Sequence, residues 1–305
     1  MRVYDVIVIG SGIAGLTTTK RLLHTNSSLA VLNIEADSFG GLVTNINELD
    51  GTVHGSGIEY AASLMTEAAD LGVSLASERV IGLAKESNGW FVLTTEEKRQ
   101  ARAVVIASGA VLKKLGVPGE DEFEHRGVSL CADCDGPMFT DKVVAVAGGG
   151  DSALQEARVL TNFCRQVYVV NQGAAFTAKK PLVDALVACE NVEVLHRTEI
   201  SAILGSEKVN AIRTKGAQGS KEIACDGVFA YIGLKPSNDF VDSSFPRDAS
   251  GCLITDSSCK IVSGLFSIGA VRAGYGGMLE HAIAEGESTA DVIANELKAR
   301  LSNLR

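Results

Sequence analysis

The apolar and polar positions of this chain follow a strand, turn and helix order that occurs twice. Residues 3–9 form an apolar run rich in β-branched side chains, and residues 16–25 carry leucines at helical spacing behind a glycine-rich turn. A second apolar run at 29–35 completes a βαβ unit. Residues 142–160 again pass from an apolar run through glycines into a helical pattern. This alternation predicts an α/β protein with parallel sheets.

The first glycine turn, GSGIAG, has the spacing that dinucleotide-binding folds use. Gly10 permits the tight turn, Gly12 lets the backbone approach a pyrophosphate, and Gly15 lets the helix pack closely on the strand. Ala14 lies in the same turn. Glu35 ends the next strand about 20 residues after the last glycine, where a ribose-binding carboxylate is expected. The unit is therefore predicted to bind a dinucleotide with its phosphates at the helix amino terminus.

The second glycine turn, GGGDSA, repeats this fingerprint in a modified form. Gly148 and Gly150 occupy the first two positions, and Ala153 stands at the third, where only close packing is required. Asp151 and Ser152 lie between them. We therefore predict two Rossmann-like, dinucleotide-binding domains. Breaks in the periodicity at LKKLGVPG and LKPSNDF place domain boundaries near residues 112 and 240.

Composition and charge narrow the classes of partner. A net charge of -9 leaves no basic surface for nucleic acid or for an anionic membrane. No apolar run reaches the roughly 18 residues of a membrane span, and the amino-terminal MRVYDVIVIG has no basic leader with a cleavage site. We therefore expect a cytoplasmic protein whose partners are small molecules or other proteins.

The seven cysteines include one close pair, Cys131 and Cys134, in GVSLCADCDGPMF. Two thiols at this spacing can close a disulfide, and a cysteine at a turn or helix start has its thiolate stabilised. The alternative is half of a zinc site, which needs two further ligands, and the spacing of Cys252 and Cys259 matches no common zinc pattern. The other five cysteines are isolated singles, unlike a secreted disulfide framework. The pattern favours a redox-active dithiol, and no metal is expected.

Two further residues are candidates for proton transfer. Asp135 directly follows the cysteine pair and is placed to carry protons as a disulfide opens and closes, although Asp before Gly136 is also a common turn residue. His281 lies near the glycine-rich segment at the carboxyl-terminal end, where a catalytic base and an ordinary surface histidine are both compatible with the pattern.

These motifs together resemble the low-molecular-weight thioredoxin reductases, which are class II pyridine nucleotide-disulfide oxidoreductases. The resemblance extends over nearly the whole chain, and CADCDG placed just ahead of a second GGGDSA is highly specific to that family. Its motifs, in order, are YDVIVIGSGIAG, GGLVT at 40–44, VVIASGA at 104–110, GVSLCADCDG at 127–136, VAGGGDSALQEA at 146–157 and GVFAYIGLKPSNDF at 227–240.

The resemblance implies an FAD-binding domain formed by residues 1–112 and 240–305, with a pyridine-nucleotide-like domain, residues 113–239, inserted in it. It also implies a homodimer that acts on a thioredoxin-like protein or on a small-molecule disulfide or dithiol. By resemblance, Cys134 takes electrons from the flavin, Cys131 exchanges with the external disulfide, and Asp135 is the acid and base. The further implied FAD contacts are Gly40, Gly41, Val43, Ala107, Gly109, Gly269 and Ala270.

The segment after the second βα turn departs from the family pattern. Where the family carries a His-Arg-Arg motif that holds the 2'-phosphate of NADPH, this chain has Asn171, Gln172 and Gly173. Charge-assisted contacts worth roughly 1.5 to 3 kcal/mol each are thereby lost, and Lys179 and Lys180 are the cations left to compensate. The usual NADPH site is not expected, and Asn171 is not the acidic residue that would favour NADH.

Two departures concern the flavin. Ala270 stands where the family has an Asp that holds the ribityl chain, and Gly277 and Met278 stand where it has Arg-Gln. The segment NINELDGTVHG also lacks the family's Asn-Tyr/Trp-Pro-Gly.

Three functions follow from this combination of features. The first is an FAD-dependent disulfide reductase of thioredoxin-reductase type with a non-standard electron donor. The second is the reverse flow, a flavin-dependent dithiol oxidase that uses oxygen, although Ala132 and Asp133 within the CxxC resemble the reductases rather than such oxidases. The third is a non-catalytic redox or nucleotide sensor, which the change at Ala270 motivates and the intact dithiol disfavours.

Overall fold

The computed structural model describes residues 2–46, 49, 53–217 and 219–302. The chain divides into two compact units, of which unit 1 comprises Met1–Val111 and Lys235–Arg305 and unit 2 comprises Leu112–Leu234. The predicted α/β fold, with a second unit inserted in the first, is confirmed. Unit 2 begins at Leu112 and unit 1 resumes at Lys235, near the boundaries at 113 and 240 that the sequence predicts.

The strands, in chain order, are β1 (Val3–Ile9), β2 (Val31–Glu35), β3 (Ser74–Ser77), β4 (Val80–Glu86), β5 (Gly89–Thr94), β6 (Lys98–Ile106), β7 (Ala110–Leu112), β8 (Val128–Ser129), β9 (Val143–Ala147), β10 (Gln166–Asn171), β11 (Val192–His196), β12 (Thr198–Gly205), β13 (Val209–Gly216), β14 (Gly219–Ala224), β15 (Gly227–Ala230), β16 (Leu234–Pro236), β17 (Lys260–Val262) and β18 (Leu265–Ser267). The helices are α1 (Ile13–Thr25), α2 (Gly57–Asp70), α3 (Ala132–Asp135), α4 (Asp151–Thr161), α5 (Lys180–Val187) and α6 (Leu279–Ser302). Single turns of 3-10 helix span Gly41–Asn45, Gly136–Phe139 and Gly269–Val271.

Unit 1 is built on a sheet with the strand order β17-β18-β6-β1-β2-β3, to which β4 and β5 add at β6. The strands β18, β6, β1, β2 and β3 are parallel. Val6 and Ile7 on β1 are fully buried on opposite faces of the sheet, as expected of a central parallel strand covered on both sides. Helix α1 packs against α2 and α6 on one of these faces.

Unit 2 has a five-stranded parallel sheet with the order β11-β10-β9-β15-β8 and a separate antiparallel sheet of β12, β13 and β14. The carboxyl ends of the parallel strands meet at one edge. Strand β9 ends ahead of the second glycine turn, β10 ends at Asn171, and β8 ends at Ser129 just before the cysteine pair. Ligands of open α/β sheets bind at this edge, so the fold brings the candidate residues of unit 2 to the expected side.

Candidate functional site

The first glycine turn joins β1 to α1 as the sequence predicts. Gly10 has a φ of 106°, and a Cβ at this position would lie 2.3 Å from the carbonyl oxygen of Ala107, so a larger residue is excluded. Gly12 differs, because a Cβ there would meet nothing closer than the Gly40 carbonyl oxygen at 3.8 Å. The backbone at Gly12 is therefore open to a ligand at the amino terminus of α1.

Glu35 lies at the end of β2 and reaches back to this turn. Its Oε2 accepts a hydrogen bond from the backbone N–H of Ser11 at 2.7 Å, and its Oε1 accepts one from Ala36 N–H at 2.8 Å. The buried Asn33 side chain supports the turn from below, since its Nδ2 donates to Thr19 Oγ1 at 3.2 Å and its Oδ1 accepts from the Ser11 hydroxyl. These bonds fix the carboxylate of Glu35 beside the glycine turn.

A cavity of about 870 Å³ opens in front of the turn and is large enough for an extended cofactor. The residues predicted from sequence that line it are Gly10, Gly12, Glu35, Gly40, Gly41, Ala107, Gly109 and Ala270. Ala14, Gly15, Val43 and Gly269 are not among its lining residues. Gly15 instead packs against the turn itself, since a Cβ there would lie 2.1 Å from the Gly10 carbonyl oxygen.

Part of the cavity wall comes from residues that the sequence did not single out. Asp37 and Arg79 form an ion pair at 3.2 Å, and both line the cavity. On the carboxyl-terminal part of unit 1, the Ser237 carbonyl oxygen accepts a hydrogen bond from the Ser108 hydroxyl at 2.6 Å. Ser237 belongs to unit 1 and also lines the cavity. Ser237 lies close in space to the ASGA segment, and no sequence pattern indicates that these two segments meet.

The carboxyl-terminal segment of unit 1 places its candidates in different surroundings. Ala270 lines the cavity and has no polar side-chain atom, while the N–H of Gly269 donates to Glu285 Oε2 at 2.8 Å. Glu285 is also paired with Arg272. His281 lies near the start of α6, where its ring packs edge-to-face on Tyr275 with centroids 6.4 Å apart. His281 is not among the residues that line the cavity, and its catalytic role remains a prediction. The segment NINELDGTVHG lies partly outside the described residues.

The second glycine turn joins β9 to α4 and is covered by a segment of its own unit. The Gly149 carbonyl oxygen accepts hydrogen bonds from Thr177 N–H at 2.8 Å, from the Thr177 hydroxyl at 3.2 Å and from Ala178 N–H at 3.2 Å. Two residues further on, the Asp151 carboxylate accepts the N–H of Lys179 at 2.8 Å. Gly148 and Ala153 pack against each other, whereas a Cβ on Gly150 would meet only Thr177 Oγ1 at 3.8 Å.

The residues that replace the family's phosphate-binding motif are turned to other partners. The buried Asn171 side chain donates to the Ala175 carbonyl oxygen at 3.0 Å and accepts from Gly173 N–H at 3.1 Å, so it organises its own loop. The two lysines are engaged with carboxylates. Lys179 lies 3.4 Å from Asp151, and Lys180 lies 2.7 Å from Asp184.

The cysteine pair forms a disulfide at the start of α3, with the two Cα atoms 5.3 Å apart. The Cys134 N–H donates to Cys131 Sγ at 3.2 Å. Asp135 turns its Oδ2 to the Ser129 hydroxyl, which donates to it at 2.6 Å, while the Ser129 oxygen accepts the N–H of Cys131 at 3.1 Å. The structure therefore brings Cys131, Cys134 and Asp135 together through Ser129, a residue the sequence did not single out.

The buried single cysteines differ chemically from this pair. Burial raises the pKa of Cys164 to about 11 and that of Cys225 to about 12, and it also raises the pKa of Cys259. A thiol attacks a disulfide as its thiolate, so these three thiols are poorly suited to exchange at neutral pH. Half-exposed Cys131 and exposed Cys134 are accessible to a partner.

Within the described ranges, no group of three or more His, Cys, Asp or Glu side chains is placed to hold a metal ion. Among the described residues, no helix has the length and apolar character that a membrane crossing requires.

Comparisons with known proteins agree with this geometry. The sequence profile of the pyridine nucleotide-disulphide oxidoreductase family matches residues 4–286. The chain is 34% identical to a thioredoxin reductase of Treponema pallidum over 88% of this chain and 89% of that protein. It is 36% identical to one from Mycolicibacterium smegmatis over 82% of this chain and 81% of that protein.

A solved structure extends the agreement to three dimensions. The thioredoxin reductase of Lactococcus lactis superposes with a TM-score of 0.87 at 29% identity, covering 96% of this chain and 98% of that one. The two-unit fold, the CxxC disulfide and these matches lead to one assignment. The chain is an oxidoreductase of the pyridine nucleotide-disulphide oxidoreductase family and belongs to its low-molecular-weight thioredoxin reductases.

Proposed function

We propose that this protein is an FAD-dependent disulfide oxidoreductase that exchanges electrons between a flavin in unit 1 and an external disulfide through Cys131 and Cys134. The observation that carries the proposal is the disulfide at the start of α3, flanked by the hydrogen-bonded Ser129 and Asp135. Three of the other five cysteines are buried thiols with raised pKa values, so this pair is the favoured site of exchange.

The residues of unit 1 fit an FAD. The open backbone at Gly12 and the amino terminus of α1 would hold the pyrophosphate, and Glu35 would hold a ribose hydroxyl. The cavity in front of them has the volume and the glycine-lined wall that such a cofactor requires. When bound, the flavin supplies two-electron transfer to and from the dithiol.

The chemistry assigned to unit 2 is a balanced disulfide exchange. Two electrons and two protons open the Cys131–Cys134 bond and leave two thiols. We assign flavin exchange to Cys134 and exchange with the external disulfide to Cys131. Attack by the Cys131 thiolate then forms a mixed disulfide, which Cys134 resolves as the partner leaves with two thiols. Asp135 would take and return the protons through its position beside the pair.

The electron donor is proposed to be other than NADPH bound in the usual way. Asn171 is occupied with its own loop, Gln172 and Gly173 carry no charge, and Lys179 and Lys180 are paired with Asp151 and Asp184. A 2'-phosphate would therefore find no free guanidinium in this segment. The same observation supports the second candidate, an oxidase that takes electrons from a dithiol and passes them to oxygen.

The remaining features belong to the proposal as well. A thioredoxin-like protein or a small-molecule disulfide is the partner that a half-exposed CxxC would serve, since the exchange needs direct access to sulfur. We further propose a homodimer located in the cytoplasm. The sensor alternative depends on Ala270, whose methyl group offers no hydrogen bond to a ribityl chain.

The test is an anaerobic titration of the purified protein followed by visible spectroscopy. Flavin absorbance that bleaches with NADH, a reduced one-electron carrier or a dithiol, but not with micromolar NADPH, is expected. The Cys131→Ser and Cys134→Ser variants should lose disulfide reduction, whereas Cys189→Ser, a change at a half-buried single thiol, should retain it. Bleaching by micromolar NADPH would overturn the assignment of the donor. Peroxide formed from dithiol on readmission of air would identify the oxidase, and a colourless protein would leave the sensor.

A further inference from the structure

A closed triangle of hydrogen bonds lies beneath the turn that carries the cysteines. The N–H of Ala132, the residue next to Cys131, donates both to the Tyr231 hydroxyl at 3.0 Å and to Glu156 Oε2 at 3.1 Å. The Tyr231 hydroxyl donates to the same Glu156 oxygen at 3.1 Å. Glu156 comes from α4 and Tyr231 follows β15, so three separate segments of unit 2 meet at this point.

The triangle is shielded from solvent. Ala132 is fully buried, Tyr231 is buried, and Glu156 is half-buried. Burial raises the pKa of Glu156, the Ala132 and Tyr231 hydrogen bonds oppose that change, and the charge of Asp133 adds to it. Burial and the neighbouring Glu156 charge raise the pKa of Tyr231, which keeps the phenol protonated as a hydrogen-bond donor. Oε2 accepts two hydrogen bonds, the arrangement that an ionised carboxylate favours.

The Ala132 and Cys134 amides of this turn therefore have different acceptors. The Ala132 amide is committed to the carboxylate and the phenol, and it is the Cys134 amide that reaches Cys131 Sγ. A thiolate formed on Cys131 would accept the Cys134 N–H, while the Glu156 carboxylate accepts the N–H of the adjacent residue, Ala132. Like charges in a partly buried site oppose each other.

We propose that Glu156 and Tyr231 are positioning residues for Cys131, which hold the Ala132 amide away from sulfur and place a negative charge that makes the Cys131 thiolate less stable. The inference rests on the proposed redox role of the pair. Because the reduced form of a dithiol is favoured when its thiolate is stabilised, a destabilised thiolate makes the reduced pair the stronger reductant. The carboxylate thus favours the direction from dithiol to external disulfide.

The experiment measures the pKa of the Cys131 thiol directly. In a Cys134→Ser background, the rate of alkylation of Cys131 is followed against pH by mass spectrometry of its peptide. The Glu156→Gln change keeps the oxygen that accepts both hydrogen bonds but removes the charge, and it should lower the apparent pKa of Cys131 by about one unit. The control is Glu193→Gln, which makes the same change of charge at an exposed position of β11, at the far edge of the sheet from β8, and should leave the titration unmoved.

A second variant separates charge from packing. Tyr231→Phe keeps the Glu156 charge and the hydrogen bond from the Ala132 amide to Glu156, so the pKa of Cys131 should not fall. Hydrogen exchange at the Ala132 amide should accelerate, because one of its two acceptors is lost. Should Glu156→Gln titrate like Glu193→Gln, or should Tyr231→Phe lower the pKa as much as Glu156→Gln, the proposal is wrong. If Glu156→Gln does not fold, the Tyr231→Phe titration still tests the proposal, because a lowered pKa of Cys131 in that variant would contradict it.

This readout needs neither flavin nor turnover. A colourless or inactive protein would end the proposed function while leaving the thiol titration fully interpretable. Conversely, an active reductase in which Glu156→Gln leaves the Cys131 titration unchanged would retain the proposed function and end this inference.

Discussion

The two glycine turns share a strand, turn and helix order, yet the space in front of them differs. In unit 1 the turn faces small residues, Gly40 and Ala107 among them, and opens on a cavity of about 870 Å³. The Ser11 carbonyl of that turn accepts one hydrogen bond, from the N–H of Gly40, whereas the corresponding Gly149 carbonyl in unit 2 is bonded to Thr177 and Ala178. The two turns therefore share a local sequence pattern, and the segments packed against each turn determine what it can bind.

The first prediction concerns the middle glycine of each turn. Gly12 and Gly150 have φ values of -73° and -93°, which any residue adopts, so valine strains neither backbone. Gly12→Val places its side chain in the space assigned to the pyrophosphate and should reduce bound flavin by about tenfold or more, a loss of at least about 1.4 kcal/mol in affinity. Gly150→Val is the matched control and should retain flavin. The ratio of visible to protein absorbance reports both, and equal loss in the two variants would contradict the comparison.

The second prediction concerns the chemistry that unit 2 retains. Asp135→Asn removes a proton carrier while its amide still accepts the Ser129 hydrogen bond, and turnover should fall by about 100-fold. The visible spectrum should not change. Asp133→Asn, at the exposed neighbouring position, is the control and should remain within a few-fold of the unmodified enzyme. Steady-state disulfide reduction measures both, and similar rates for the two variants would remove Asp135 from the mechanism.

The third prediction adds a guanidinium to the loop that follows β10 in unit 2. Gln172 is exposed at the end of β10, so Gln172→Arg introduces a guanidinium without burying it. One charge-assisted contact to a 2'-phosphate should raise the efficiency with NADPH relative to NADH by about tenfold. Gln155→Arg adds the same charge on the exposed face of α4 and should change the efficiency with neither NADPH nor NADH. An unchanged ratio in Gln172→Arg would show that the loop formed by Asn171, rather than missing charge, excludes the phosphate.

The fourth prediction concerns how the stability of each unit changes in acid. The Arg99 guanidinium holds the pKa of Glu78 in unit 1 below its usual range, and both side chains are nearly buried. A depressed pKa contributes stability above the unfolded value, about 4.3, and that stability is lost as pH falls through the folded value. Burial raises the pKa of Glu156 in unit 2, which acts in the opposite sense because its ionised form costs stability.

Trp90 reports on unit 1 alone, since it is the single tryptophan and is 2% exposed. Glu78→Gln should lower the free energy of unfolding by about 1 kcal/mol at pH 7 and flatten its decline below pH 5. Glu86→Gln, which removes the exposed pair with Lys98, should have almost no effect. Urea unfolding followed by Trp90 fluorescence measures both, and a parallel acid decline in the two variants would exclude Glu78 as its cause.

The sequence was sufficient for the βαβ units and the cysteine pair, because each has a local period or a fixed spacing, whereas the insertion was expected from the family resemblance. Strand 3–9, the turn glycines and the CxxC all depend on residues close together in the chain. The rest of the site depends on distant pairs. Glu156 and Tyr231 lie 24 and 99 residues from Ala132, and Ser237 lies 129 residues from Ser108. No periodicity connects such positions, so only the folded chain shows that they meet.

The side chain of Asn171 also restricts how this chain could evolve. An acidic residue at the end of the second strand is the simplest route to a site that prefers NADH. In this chain, however, an aspartate would lose the amide that donates to the Ala175 carbonyl and would set two acceptors against each other, at a cost of about 1–3 kcal/mol. A descendant acquiring that preference would have to rebuild the loop before or together with the substitution. The amide therefore makes a change of cofactor a path of several mutations rather than one.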